Sequence, residues 1–207
     1  MRNIIRQIRQ RLAPPAWLVT IEINSTSLRL METRGTRVTK WASQPLGPGS
    51  FENEAVTNPR LLSIAIRRLM VSNGIKARKV NASVSGLYSL SRIISVPASS
   101  AGAPVTREAV LKKAQEVLPI SEDELYISWQ TIATIDAEHH VLVVGVPKEM
   151  IDGEVKALRG AGLAIGILNL KGMALIRAVN QEQALILNIE PSTFDIILVA
   201  DGVAQSI

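Results

Sequence analysis

The chain has no cysteine. That absence removes disulfide frameworks, thiolate metal sites and cysteine nucleophiles together, and it fits a reducing compartment. Aromatic residues make up only 3%, so a core has to be filled by Ile, Leu, Val, Ala and Met, as in folds where strands alternate with helices. No apolar run reaches the ~18 residues of a membrane-spanning helix. The stretch 163–179 is interrupted by Asn169, Lys171 and Arg177. The start has neither the continuous apolar segment nor the small-residue cleavage site of a secretory leader. A Gly-x-Ser-x-Gly elbow is also missing, so the common hydrolase arrangements lack their nucleophile.

What is present points to a folded α/β protein. The 207 residues are 47% hydrophobic, enough for one large domain or two small ones. The net charge of +5 is most concentrated at the start, where Arg2, Arg6, Arg9 and Arg11 lie among Ile4, Ile5, Ile8 and Leu12 with no acidic residue before Glu22. A helix over residues 3–12 would carry one apolar side flanked by arginines, so peripheral contact with an anionic membrane through residues 2–12 is expected. A second basic cluster, Arg67, Arg68, Lys76, Arg78 and Lys79, surrounds the end of a predicted helix. It lacks interleaved aromatics, so nucleic acid is not expected as a partner, and favourable interaction with the helix dipole accounts for it.

Strands are predicted over residues 17–23 and 28–32, separated by Asn24-Ser25-Thr26-Ser27, with a third after Arg34-Gly35. A helix begins at Asn58-Pro59 and ends at Asn73-Gly74, with Leu61, Leu62, Ala65, Leu69 and Met70 as its apolar stripe. Strands follow at 79–85 and 90–96, then a helix over 107–118 capped by Thr106. Strands 126–132 and 141–146 are joined by the polar stretch 134–140. Pro147 opens a further helix in its first turn, and Gly160-Ala161-Gly162 closes it. Strand 164–170, helix 171–180 and a last hairpin starting at 185 complete the pattern.

That last hairpin repeats the first. An offset of 166 residues places Glu22 on Asn188, Asn24 on Glu190, Thr26 on Ser192, Ser27 on Thr193, Leu28 on Phe194 and Leu30 on Ile196. Both copies end in a glycine turn, Arg34-Gly35 and Asp201-Gly202. The period is far longer than a solenoid repeat and argues for duplication of a domain. The second copy reaches its third strand as the sequence stops, so slightly more than half of a duplicated fold is expected, with exposed core surface on residues 185–199.

Two strand-turn-strand units facing each other resemble the phosphate-holding hairpins of actin-like ATPases. Glu22-Ile23-Asn24-Ser25-Thr26-Ser27-Leu28-Arg29-Leu30 resembles the first phosphate loop of the PilM family of type IV pilus assembly proteins, relatives of FtsA. Residues 92–97, 116–129 (EVLPISEDELYISW) and 156–170 (KALRGAGLAIGILNL) agree with that family in order and spacing. The resemblance covers residues 17–202. It implies an α/β, actin-like ATPase (ribonuclease H-like) fold: a basic arm 1–16, a first lobe of 17–92 and 148–182, an inserted subdomain 93–147, and the beginning of a second lobe, 183–207. It also implies a cytoplasmic scaffold peripheral to the inner membrane. Its partners would be the N-terminal cytoplasmic segment of a PilN-like membrane protein, held beside residues 93–147, and other pilus platform proteins.

Departures from the family pattern bear on chemistry. Asn24 stands where the family has a glycine that lets backbone N–H groups approach phosphate. Asn188 replaces an expected Asp, and Glu190 replaces the second glycine and puts negative charge where phosphate would sit. Glu22, Asn24, Ser25, Thr26, Ser27, Arg29, Asn188, Glu190, Ser192 and Thr193 are therefore expected to be vestigial phosphate loops. No catalytic residue, metal or cofactor is expected. An active actin-like ATPase binding Mg-ATP is the alternative. Gly160-x-Gly162-x-x-x-Gly166 follows a helix and reads as a cap. His139-His140 reads as a solvated hairpin end, and Glu122, Asp123 and Glu124 read as a solvated turn.

Overall fold

A computed structural model describes residues 17–98, 104–118, 122–191 and 193–206. The expected basic arm lies outside the described residues, as does Ser192. Strand β1 (Trp17–Ile23) alternates its apolar residues and pairs antiparallel with β2 (Ser27–Arg34), which pairs with β3 (Arg37–Pro45). After a small hairpin, β4 (Phe51–Glu52) and β5 (Ala55–Val56), helix α1 (Pro59–Ser72) crosses back to β6 (Lys79–Val84), parallel to β1. Strand β10 (Ala164–Leu170) completes a five-stranded sheet in the order β10-β6-β1-β2-β3.

Helix α1 starts where the sequence says it should. Pro59 occupies its first turn, and Asn58 Oδ1 accepts from Leu61 N at 3.0 Å. Its buried face, however, is Leu62, Ser63, Ile66, Leu69 and Met70, whereas Leu61 is exposed. The cause is close packing on helix α3 (Lys148–Gly160). Ser63 Oγ donates to Ala157 O at 2.9 Å, and a Cβ on Gly160 would meet that Oγ at 2.5 Å. Small residues at this crossing turn the predicted stripe so that Ile66, not Leu61, enters the core. Together α1 and α3 bury Ile21, Ile23, Leu28 and Leu30 on one face of the sheet.

Between β6 and α3 the chain builds a second sheet, β7-β9-β8, from β7 (Leu90–Pro97), β8 (Leu125–Ile135) and β9 (Glu138–Pro147). Helix α2 (Arg107–Val117) is capped by Thr106 and packs Val110 and Ala114 against Ile94, Val96, Val141 and Val143. The predicted polar connection 134–140 is mostly strand. Pairing runs on through Thr134↔His139 and Ile135↔Glu138, leaving a two-residue turn at Asp136-Ala137, both with positive φ. His139 is therefore buried rather than solvated. It continues the face of Val141 and Val143, with Nδ1 2.9 Å from Thr134 Oγ1. Pro147 ends β9 as the N-cap of α3, one residue before the expected first turn.

Helix α4 (Lys171–Val179) leads into a three-stranded antiparallel sheet, β11 (Ala184–Ile189), β12 (Phe194–Ala200) and β13 (Val203–Ser206). The duplication is visible in the backbone. Ile23↔Leu28 and Glu22↔Arg29 in the first hairpin match Ile189↔Phe194 and Asn188↔Asp195 in the second. The turn bond Asn24 N to Ser27 O, 3.2 Å, recurs as Glu190 N to Thr193 O, 2.9 Å. Coverage differs. Ile23 and Leu28 are fully buried, whereas Ile189 and Phe194 are 74% and 67% exposed. The expected exposed core surface is thus one face of β11 and β12, and Ile197 and Val199 fill the other.

Matched truncations measure this difference. Leu28→Ala should cost about 3 kcal/mol in urea denaturation, and Phe194→Ala less than about 1 kcal/mol. Equal losses would mean that the second face is covered in solution.

Candidate functional site

The two hairpin turns face each other, and the side chains that meet there are charged. Arg29 on β2 forks onto Glu190 at the tip of β11, with Nη1 to Oε1 at 2.9 Å and Nη2 to Oε2 at 2.7 Å. The same Nη1 lies 3.3 Å from both oxygens of Glu22. Lys171, buried at the start of α4, approaches Asp195 at 3.3 Å and Glu190 at 3.9 Å. Asn188 Nδ2 donates to Asp195 at 2.8 Å. The Arg29 hydrogen bonds hold the Glu190 carboxyl below the usual carboxylate range, against the opposing effect of burial, and Glu190 raises the Arg29 guanidinium above its usual range.

The first loop is closed on itself. Asn24 Oδ1 accepts from Ser27 N at 2.7 Å and Thr26 N at 3.0 Å, and lies 3.2 Å from the Ser27 hydroxyl and 3.0 Å from the Thr26 hydroxyl. An Asx turn has taken the backbone donors that a phosphate oxygen would need. Ser25 donates its hydroxyl to Glu54, so that side chain is engaged too. These donors do not fit a nucleotide triphosphate: the N–H groups are satisfied internally and the nearest cations already hold a carboxylate. Among the described residues, no group of three or more His, Asp or Glu side chains is arranged to hold a metal ion.

Of the predicted residues, the structure brings together Glu22, Arg29, Asn188 and Glu190, and it gathers Asn24, Ser25, Thr26 and Ser27 into the Asx turn. Thr193 contributes its carbonyl to the second turn. Sequence reasoning missed Lys171 and Asp195. The 166-residue offset carries Arg29 onto Asp195, an exchange of charge that marked this position. Lys171 comes from a separate helix, and no local pattern announces it.

A second feature lies on the far side of β9 from α2. Val144 and Val146 of β9, Ile151 and Val155 of α3, Leu168 of β10 and Met173 of α4 line a groove of about 550 Å³. Residues 126–130 of β8, the edge strand of its sheet, form one wall. Tyr126 Oη donates to Asp152 Oδ1 at 2.8 Å and ties that wall to α3, while Arg159 and Arg177 stand at the rim. The bond to Asp152 raises the Tyr126 pKa above its ordinary value.

A sequence profile of the family described as type IV pilus assembly protein PilM matches residues 20–204. This chain belongs to the PilM family. No curated protein sequence matches it. Among solved structures it is similar to a chain of the PilM-PilN type IV pilus biogenesis complex, with 25% identity and a TM-score of 0.78 over 93% of this chain and 61% of that one. The cytoplasmic domain of EpsL, an inner membrane component of the type II secretion system of Vibrio cholerae, is 10% identical with a TM-score of 0.60, covering 90% of this chain and 69% of that one. Ethanolamine utilization protein EutJ from Carboxydothermus hydrogenoformans is 14% identical with a TM-score of 0.53, covering 93% and 51%. The last two show the fold alone. The fold is the actin-like one expected from the sequence, and this PilM-family chain spans 61% of the PilM relative's length. None of its described helices is long and apolar enough to cross a membrane.

Two titrations follow from these contacts. Because the Glu190 pKa is lowered in the folded state, its contribution is complete above the unfolded value of about 4.3 and disappears as pH falls through the folded value. Arg29→Gln should therefore lower stability at pH 7 by about 1–3 kcal/mol, a loss that shrinks below about pH 4. Glu154 of α3 behaves oppositely. Burial, aided by Glu54, pushes its carboxyl well above the usual range, and among the described residues Oε2 has no partner. Its burial weakens the fold as pH rises, so Glu154→Gln should raise the melting temperature at pH 8 and leave it little changed at pH 4, by calorimetry.

Proposed function

We propose that this chain acts in type IV pilus assembly as a scaffold on the cytoplasmic face of the inner membrane, holding the N-terminal segment of a PilN-like protein in the groove beside β8. The groove carries the reading. It is apolar at its floor, long enough to follow an edge strand, and bounded by Arg159 and Arg177. An extended peptide laid there would hydrogen-bond to the free edge of β8 and drop alternate side chains between Val144, Ile151 and Leu168. Similarity to a chain of the PilM-PilN complex supports this choice of partner.

Scaffolding rather than nucleotide hydrolysis is favoured by the occupied cleft, in which Asn24 and Glu190 fill the roles of phosphate oxygens. The partner segment should bind the chain by calorimetry with an affinity that Val144→Asp lowers at least about tenfold by burying an unpaired charge. Mg-ATP titrated over the same range should give no saturation below about millimolar, or about −4 kcal/mol. Tight Mg-ATP binding would favour an ATPase. Peptide binding unaffected by Val144→Asp would place the partner elsewhere.

A further inference from the structure

The outward face of α1 differs from an ordinary solvated helix surface. Its exposed positions are Arg60, Leu61, Ile64, Arg67, Arg68, Val71 and Ser72. At 3.6 residues per turn, the three arginines and three aliphatic residues among them fall in one arc of about 120°, opposite Leu62, Ile66 and Leu69. Ile64 is 57% exposed and Val71 73%. From Ala55 to Arg107 the chain has no Asp or Glu. Lys156 of α3 joins Arg60, Arg67 and Ile64 around a shallow depression where Arg67 Nη2 donates to Gly160 O at 2.7 Å. Among the described residues, no carboxylate pairs with Arg60, Arg67, Arg68 or Lys156. Helix-dipole neutralisation does not account for the arginines, because the last turn of α1 holds no basic residue.

The geometry points to α1 as a membrane-contact face that takes the phosphate headgroups of an anionic bilayer. Arginine forks match phosphate geometry. The aliphatic side chains between them can enter the headgroup and acyl boundary while the arginines remain at its surface. Charge complementarity decides the occupant: a face of one sign meets a surface of the other. A nucleic-acid duplex would use the arginines but leave Ile64 and Val71 without a role, and no aromatic is present for stacking bases. The face lies on the opposite side of α1 from the sheet and shares no residue with the groove beside β8. It therefore stands or falls separately from the partner reading. It also differs from the arm of residues 2–12.

Flotation of the full chain with vesicles tests it. Vesicles of phosphatidylcholine containing phosphatidylglycerol should carry the protein, with binding weakened by salt, and phosphatidylcholine alone should not. Each arginine near an anionic surface is worth roughly fivefold in binding, so Arg60→Gln with Arg68→Gln should lower vesicle affinity roughly twenty-five-fold. Adding Ile64→Ser and Val71→Ser should lower it further, while Arg60→Lys with Arg68→Lys should retain most of it. Circular dichroism should show unchanged helix content throughout, since every substituted side chain is exposed. Replacing Arg2, Arg6, Arg9 and Arg11 by Gln separates the arm, and the response to the α1 variants should persist in that background. The proposal is overturned if the fourfold α1 variant floats as the parent does. It is also overturned if duplex DNA or an acidic peptide binds this face while anionic vesicles do not.

Discussion

A single carboxylate, Glu190, ties the two halves of the duplicated hairpin together. It reaches from the tip of β11 into the fork of Arg29 on β2 while Lys171 of α4 stands behind it, so three separate elements converge on one anion. A side chain anchored to its own backbone holds its charge in place with no free ligand required. Without it, Arg29 would retain Glu22 and Lys171 would retain Asp195, but nothing would couple the two pairs. The charged link at Glu190 thus joins the last sheet to the first, alongside the packing of the helix Lys171–Val179 on β12 and β13 and of β13 on β7. Asn24 acts by the same logic on a smaller scale, offering one amide oxygen to the backbone donors of Thr26 and Ser27.

Three further surfaces surround the hairpin turns. The inserted sheet offers a free edge and an apolar groove on one side. Helix α1 offers arginines and aliphatic residues on another, and β11 and β12 offer an uncovered sheet face. The first is apolar at its floor, and the third exposes Leu185, Leu187, Ile189, Phe194, Ile196 and Leu198. In the first hairpin the face equivalent to β11 and β12 is packed by α1 and α3, which shows what such a face requires.

Much of the fold was legible because local signals agreed with tertiary demands. Asn58-Pro59 and Thr106 start helices through hydrogen bonds between residues three apart, and period-two alternation placed β6 to within one residue of its end. Legibility failed where packing overrode pattern. His139 is polar enough to suggest solvent, yet the register of β8 with β9 keeps it on the face of Val141. Leu61 is apolar enough to suggest the core, yet the close crossing at Ser63 and Gly160 turns it outward. The site was half legible: the loops and their missing glycines could be read, but Lys171 could not, because nothing in its own segment indicates which loop it meets.

The sequence by itself determined the class of fold, the duplication with its 166-residue offset, and the loss of glycine from both turns, since each is a matter of residue type and spacing along one segment. Only the tertiary structure decided that Glu190 pairs with Arg29 across 161 residues, that Asn24 caps its own loop, and that one face of α1 gathers arginines beside exposed aliphatic residues. Those outcomes depend on which elements come within a few ångströms of each other, and hydrogen bonds and ion pairs act only over that distance.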